Sequence, residues 1–200
     1  AKVIAGMLFA APNIPMLFMG EEYGEKNPFF YFVSHLDPGL NQHVRERRKK
    51  EFKDFYEDLS GVRDPDSEEA FHKSKLSWNI ENDSEKKAMF HYYRKLIELR
   101  KKHPVLKIPD KENLSISEKG KTFLLQRWQQ EDRILVIGNF SDREDHVIVP
   151  LGNDVTLEKI LDSSATEWQG PGSLCQGKAV GKDKIRVQKK SFVIYSNSLL

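Results

Sequence analysis

Residues 14–19 read IPMLFM and end at Gly20; Pro12-Asn13 separates them from an earlier apolar run, IAGMLFAA at residues 4–11. Their hydrophobicity is continuous rather than alternating. A strand of this kind buries both faces, as parallel strands of α/β proteins do. Residues 2–11 have the Ala, Met and Leu content of a helix, and Pro12 stops them, since proline disfavours helical geometry in the residue before it. Helix, short turn, buried strand and polar loop form one αβ unit of a barrel or a doubly wound sheet. The whole stretch 4–19 falls short of the roughly 20 residues that a bilayer requires, and prolines interrupt it, so no membrane span is expected. Only Lys2 precedes it and Gly20-Glu21-Glu22 follows, which is not a signal-peptide pattern. A chain that opens at Ala1 inside a core element is expected to be a piece of something longer.

Further along, residues 21–82 are polar and aromatic-rich, with a predicted helix over 41–56 and loops marked by Pro28 and Pro65. A clearer helix starts at Asp83-Ser84, an N-cap signal. Its apolar stripe is Met89, Tyr92, Tyr93, Leu96, Ile97 and Leu99, and Arg100, Lys101, Lys102 and His103 crowd its C-terminal end before Pro104. Beyond Leu106, residues 114–117, 122–129, 133–140, 146–150, 184–187 and 191–197 read as short strands separated by turn signals. Residues 157–181 show no clean pattern. Strands without intervening helices predict an antiparallel sandwich. The expected organisation is α/β followed by all-β, with residues 1–107 as the last αβ units of a (β/α)8 barrel and 108–200 as a β-sandwich that is stable alone.

Composition excludes several classes. Among 200 residues, 32 basic and 30 acidic side chains give a net charge of +2, which argues against a general nucleic-acid binder. The run RERRKK at 45–50 shares its helix with Glu46 and Glu51 and reads as a solvated face. Twelve Phe, six Tyr and three Trp supply a core and argue against disorder. One cysteine, Cys175, allows no disulfide within the chain and suits a reducing cytoplasm. It has no evident base beside it. The six histidines lack metal-ligand spacing, so neither a metal nor a cofactor is expected. Nucleotide-binding and Ser-hydrolase fingerprints are absent.

Two groups of residues could carry chemistry. Glu21, Glu22, Tyr23 and Glu25, between Gly20 and Gly24, follow the C-terminal end of the predicted strand, which is the functional face of a βα barrel. They are either sugar-hydroxyl ligands or salt-bridged structural groups. The run Phe29, Phe30, Tyr31 and Phe32 could hold sugar rings through the apolar faces of the pyranose, or could anchor its loop in the core.

Taken together, residues 14–40 (IPMLFMGEEYGEKNPFFYFVSHLDPGL), 44–52 (VRERRKKEF) and 70–78 (AFHKSKLSW) resemble the C-terminal third of the malto-oligosyltrehalose trehalohydrolases, α-amylase-family glycoside hydrolases. The resemblance covers about residues 1–107 and is only topological beyond. It implies cleavage of the α-1,4 bond beside a terminal trehalose of a maltooligosaccharide, releasing trehalose. It further implies a retaining mechanism using an Asp nucleophile, a Glu acid/base and a stabilising Asp, with carboxylates about 5 Å apart. Those three residues belong upstream of Ala1, so no catalytic residue is expected in this chain. Glu21, Glu22, Tyr23, Phe29 and Tyr31 remain as candidate substrate contacts. A glycogen branching enzyme, or a non-catalytic carbohydrate-binding or scaffolding module, is the alternative. Residues 14–19 without strand neighbours are expected either to self-associate through residues 1–32 or to repack as helix or coil.

Overall fold

Helix α1 (Lys2–Ala10) forms where the sequence places it and buries Val3, Ala5, Gly6, Phe9 and Ala10. This computed structural model describes residues 1–53, 63–152 and 154–198. The chain turns extended at Ala11. Two guanidinium groups hold the helix end. Arg100 donates to the carbonyls of Phe9, Ala11 and Asn13 at 3.0, 2.6 and 2.7 Å, and Arg127 donates to that of Ala10 at 2.8 Å. These satisfy carbonyls that a helix leaves without partners at its C-terminus. Arg127 is almost completely buried, and burial, with the Arg100 cation nearby, draws it down to about 10.

Helices α2 (Pro38–Lys53), α3 (Glu68–Lys73), α4 (Ser84–Lys102) and α5 (Pro104–Lys107) follow. The helix expected over 41–56 is α2 as far as Lys53; its last three residues lie outside the described residues. In α4, the Asp83 carboxylate accepts from the N–H groups of Glu85 and Lys86 at 3.0 and 3.1 Å. Tyr92, Tyr93, Leu96 and Leu99 of its stripe are buried. His103 ends α4 and starts α5. Its Nδ1 accepts from the Val105 N–H at 3.2 Å, and its Nε2 lies 2.8 Å from Ser196 Oγ.

The strands are β1 (Leu114–Lys119), β2 (Thr122–Gln129), β3 (Asp132–Asn139), β4 (Asp145–Ile148), β5 (Thr156–Asp162), β6 (Lys178–Val180), β7 (Lys184–Val187) and β8 (Ser191–Ser196). Six form an antiparallel sheet in the order β1-β2-β3-β8-β5-β6, and β4 pairs with β7 in a second. Strand alternation gives the large sheet two apolar faces. Leu125, Ile134, Val136, Leu161, Phe192 and Ile194 join the buried residues of α1, α4 and α5. Leu124, Leu135, Ile137, Leu157, Val193 and Tyr195 join Val147, Ile185 and Val187 of the small sheet. The expected fold class, helical elements followed by an antiparallel sandwich, is the observed one.

Residues 14–19 correct one expectation: they form no strand. Ile14 and Met16 are 88% and 86% exposed, and Phe18 and Met19 about half. A twice-buried parallel strand requires a neighbour on each side, and among the described residues none is offered. Without ladder partners the segment is coil, with Leu17 lying partly against the core.

Contacts divide the chain into two compact units, Ala1–Gly24 with Ile80–Leu200, and Glu25–Asn79. The first therefore unites α1 and α4 with both sheets. The second holds α2 and α3. None of α2's residues is buried, in keeping with its reading as a solvated face. Among the described residues, no helix is long and apolar enough to cross a membrane.

Candidate functional site

Gly20 and Gly24 bracket a single 3-10 turn, Glu21–Tyr23, and both take positive φ, at 90° and 67°. Glycine adopts this left-handed backbone without steric cost. The turn drives Tyr23 into the core, where it is 1% exposed and the buried Lys86 ammonium stands 5.3 Å from its ring centre. Glu21 accepts from Tyr93 Oη at 3.2 Å, and Glu22 folds back to accept from the Gly20 N–H at 2.9 Å. Burial, reinforced by the Glu21 carboxylate, pushes the Tyr93 phenol far above its usual range, so it stays a donor. This turn ties its carboxylates into the fold. Its two glutamates and Tyr23 do not form a free acid/base pair.

The second unit holds the aromatic residues. Glu25 is its organising group. One carboxylate oxygen accepts from the N–H groups of Lys26 and Asn27 at 2.8 and 3.0 Å; the other accepts from the N–H and Oγ of Ser77 at 2.7 and 2.8 Å. Burial opposes ionisation here, but hydrogen bonds from Asn27, Ser77 and Lys26 outweigh it and hold the carboxyl at about 2. Asn27 Nδ2 donates to the Lys75 carbonyl at 2.7 Å, and the Phe30 N–H donates to Ser74 Oγ at 3.0 Å. Thus residues 25–30 are laced to residues 74–77. The two stretches that looked most distinctive in the sequence are partners in space.

This lacing displays a set of rings. Phe29 stands edge-on to Tyr31 and Phe32 at 4.9 and 5.7 Å, and Phe32 to Phe71 at 5.1 Å. Tyr31 is half exposed, at a φ of 51°, and the Arg48 guanidinium covers its ring at 4.7 Å. Trp78, also at positive φ, is 70% exposed. Beside the rings, a cavity of about 330 Å³ is lined by Phe32, Val33, Ser34, Asp66, Glu68 and Phe71 together with Ser67. The Val33 N–H to Pro65 carbonyl bond, 2.8 Å, brings its two walls together. Aromatic faces with a few hydroxyl and carboxylate groups suit a sugar ring. The sequence signalled Phe29, Tyr31 and Phe32, but not Phe71, Asp66 or Glu68, which reach the cavity through a main-chain bridge that leaves no motif.

Cys175 is buried, its Sγ donates to Asp162 at 3.2 Å, and burial raises its thiol. Such a thiol is inert rather than nucleophilic. Among the described residues, no cluster of His, Cys, Asp and Glu could hold a metal ion.

Solved structures define the class by fold. A Salmonella typhimurium protein described as an alpha amylase superimposes on 98% of this chain and 30% of its own, with TM-score 0.72 and 27% identity. The isomaltulose synthase of Erwinia rhapontici covers 98% of this chain and 37% of its own at TM-score 0.60 and 17% identity, a likeness of fold alone. The architecture is that of α-amylase-family enzymes. In sequence, the particular likeness is to malto-oligosyltrehalose trehalohydrolase. The Saccharolobus solfataricus protein of that name is 44% identical over 102 residues, 51% of this chain, and that of Rhizobium sp. 34% over 139 residues, 70% of this chain. These stretches span 16% and 23% of the two relatives. No family model matches the chain.

Proposed function

We propose that this chain is part of a retaining glycoside hydrolase that cuts the α-1,4 bond next to a terminal trehalose in maltooligosyltrehalose. In this reading residues 1–107 descend from the end of a catalytic (β/α)8 barrel and residues 108–200 are its sandwich. The nucleophile, the acid/base and the stabilising carboxylate lie on polypeptide outside this chain, and the enzyme works in the cytoplasm without a cofactor. The observation that carries the reading is the Glu25 lacing, which ties the aromatic residues 29–32 to residues 74–77 and presents rings beside a small polar cavity. Phe29 and Tyr31 then contact sugar faces. Glu21, Glu22 and Tyr23 line the substrate region through the backbone they shape, since both carboxylates already have donors. Retention requires carboxylates about 5 Å apart with room to react, which these engaged glutamates do not supply.

The test is an assay of the full-length enzyme containing this chain, on maltooligosyltrehalose and on linear amylose. Trehalose release supports the proposal; new branch points without trehalose replace it with a branching enzyme. Calorimetry of the 200-residue chain against maltooligosaccharides addresses the module alternative. Weak or absent binding is expected, and tight binding without hydrolysis favours a carbohydrate-binding module.

A further inference from the structure

The outer edge of the large sheet lies next to an unfilled apolar groove. β1 is a terminal strand, paired only with β2 among the described residues. Between it and α1 runs a groove of about 360 Å³ walled by Met7, Pro12, Ile116, Phe123 and Phe140. Its polar rim is Glu118, Lys121 and Thr122. The segment 14–19 starts two residues beyond one of these walls, is apolar throughout, and has no ladder. Arg100 fixes the carbonyls of Ala11 and Asn13, so the segment leaves the groove's rim with Ile14 and Met16 in solvent rather than filling the groove itself.

We propose that this groove and edge receive residues 14–19 of a second copy of this chain. Each copy gives its segment and accepts its partner's, an exchange that closes at two. Extended peptides add to open sheet edges through main-chain hydrogen bonds while side chains fill adjoining pockets. Glu118 and Lys119, charges of the kind that guard an edge, stand at the far end of β1 and leave residues 114–117 for pairing. Pro15, which has no N–H, is tolerated in an edge strand whose bare side faces water. The area is sufficient. At roughly 150–250 Å² for a large side chain, the exposed apolar parts of α1, residues 14–19, Ile116 and Phe140 come to on the order of 900 Å² per copy, against about 800 Å² per partner in a standard interface. The pairing does not depend on what sugar the protein binds.

Sedimentation of the 200-residue chain across a concentration series tests this. A monomer–dimer equilibrium is expected, with Met16→Asp and Ile116→Asp each weakening it at least tenfold while circular dichroism and the melting temperature stay near those of the parent. Mixing a Met16→Cys chain with an Ile116→Cys chain under mild oxidation should give a cross-linked pair, a result that a contact within one chain cannot produce. A monomer at every concentration, a dimer that both aspartate variants leave unchanged, open-ended oligomers, or no cross-link in the mixture would each overturn the proposal.

Discussion

Glu25 shows how one side chain sets a surface. Its two oxygens take four donors from two stretches some fifty residues apart, so loosening it frees both. Glu25→Gln, with one acceptor oxygen in place of two, is expected to raise hydrogen exchange at the Asn27 and Ser77 amides several-fold. The same carboxyl sets an acid dependence. Its folded pKa, about 2, lies below the ordinary 4.5, so its stabilisation is complete above about pH 4.5 and disappears as pH falls toward 2. His103 acts at milder pH. Burial lowers its pKa, so the unfolded chain binds the proton more readily and stability falls as pH drops below 6.5. Melting temperatures between pH 7.5 and 5 should show this decline, and His103→Asn should flatten it.

Among the elements, α4 was the most legible because its signals are local and agree: an Asp cap, a stripe at helical spacing, cations at the end and a proline beyond. Asp83→Ala is expected to cost about 1 kcal/mol by chemical denaturation, the usual worth of an N-cap. Strands β2 and β7 were equally plain. The contrast between two apolar runs is more instructive. ILVI in β3 and IPMLFM at 14–19 both read as strands buried on two faces, but β3 has β2 and β8 beside it, whereas residues 14–19 have no neighbour. Composition reveals an appetite for burial and not whether partners are present. β5 was obscured for a different reason. A register shift between Lys159 and Leu161 breaks its alternation, so TLEKILD matches neither period although it lies inside the sheet. β6, three residues among glycines, is too short to signal itself.

At the scale of the whole molecule, the sandwich does not stand apart from the helices. One face of its main sheet is covered by α1, α4 and α5. A polypeptide of residues 108–200 would expose Leu125, Ile134, Val136, Phe192 and Ile194 together. It is expected to melt well below the full chain and to bind a hydrophobic dye, which calorimetry and fluorescence can follow; an unchanged melting temperature would refute this. Antiparallel sandwich and helical beginning were readable in the sequence because both rest on local periodicity. The union of α1 with the sheet was not, because it rests on arginines from α4 and β2 meeting carbonyls some ninety and more residues away.

The two guanidinium groups at the end of α1 are like charges held close together, and each lowers its discomfort by facing carbonyl oxygens. Raising ionic strength weakens the repulsion acting through solvent more than the hydrogen bonds made at contact. The anchoring of α1 should therefore tighten as salt is added, the opposite of what a fold fastened by surface ion pairs would do.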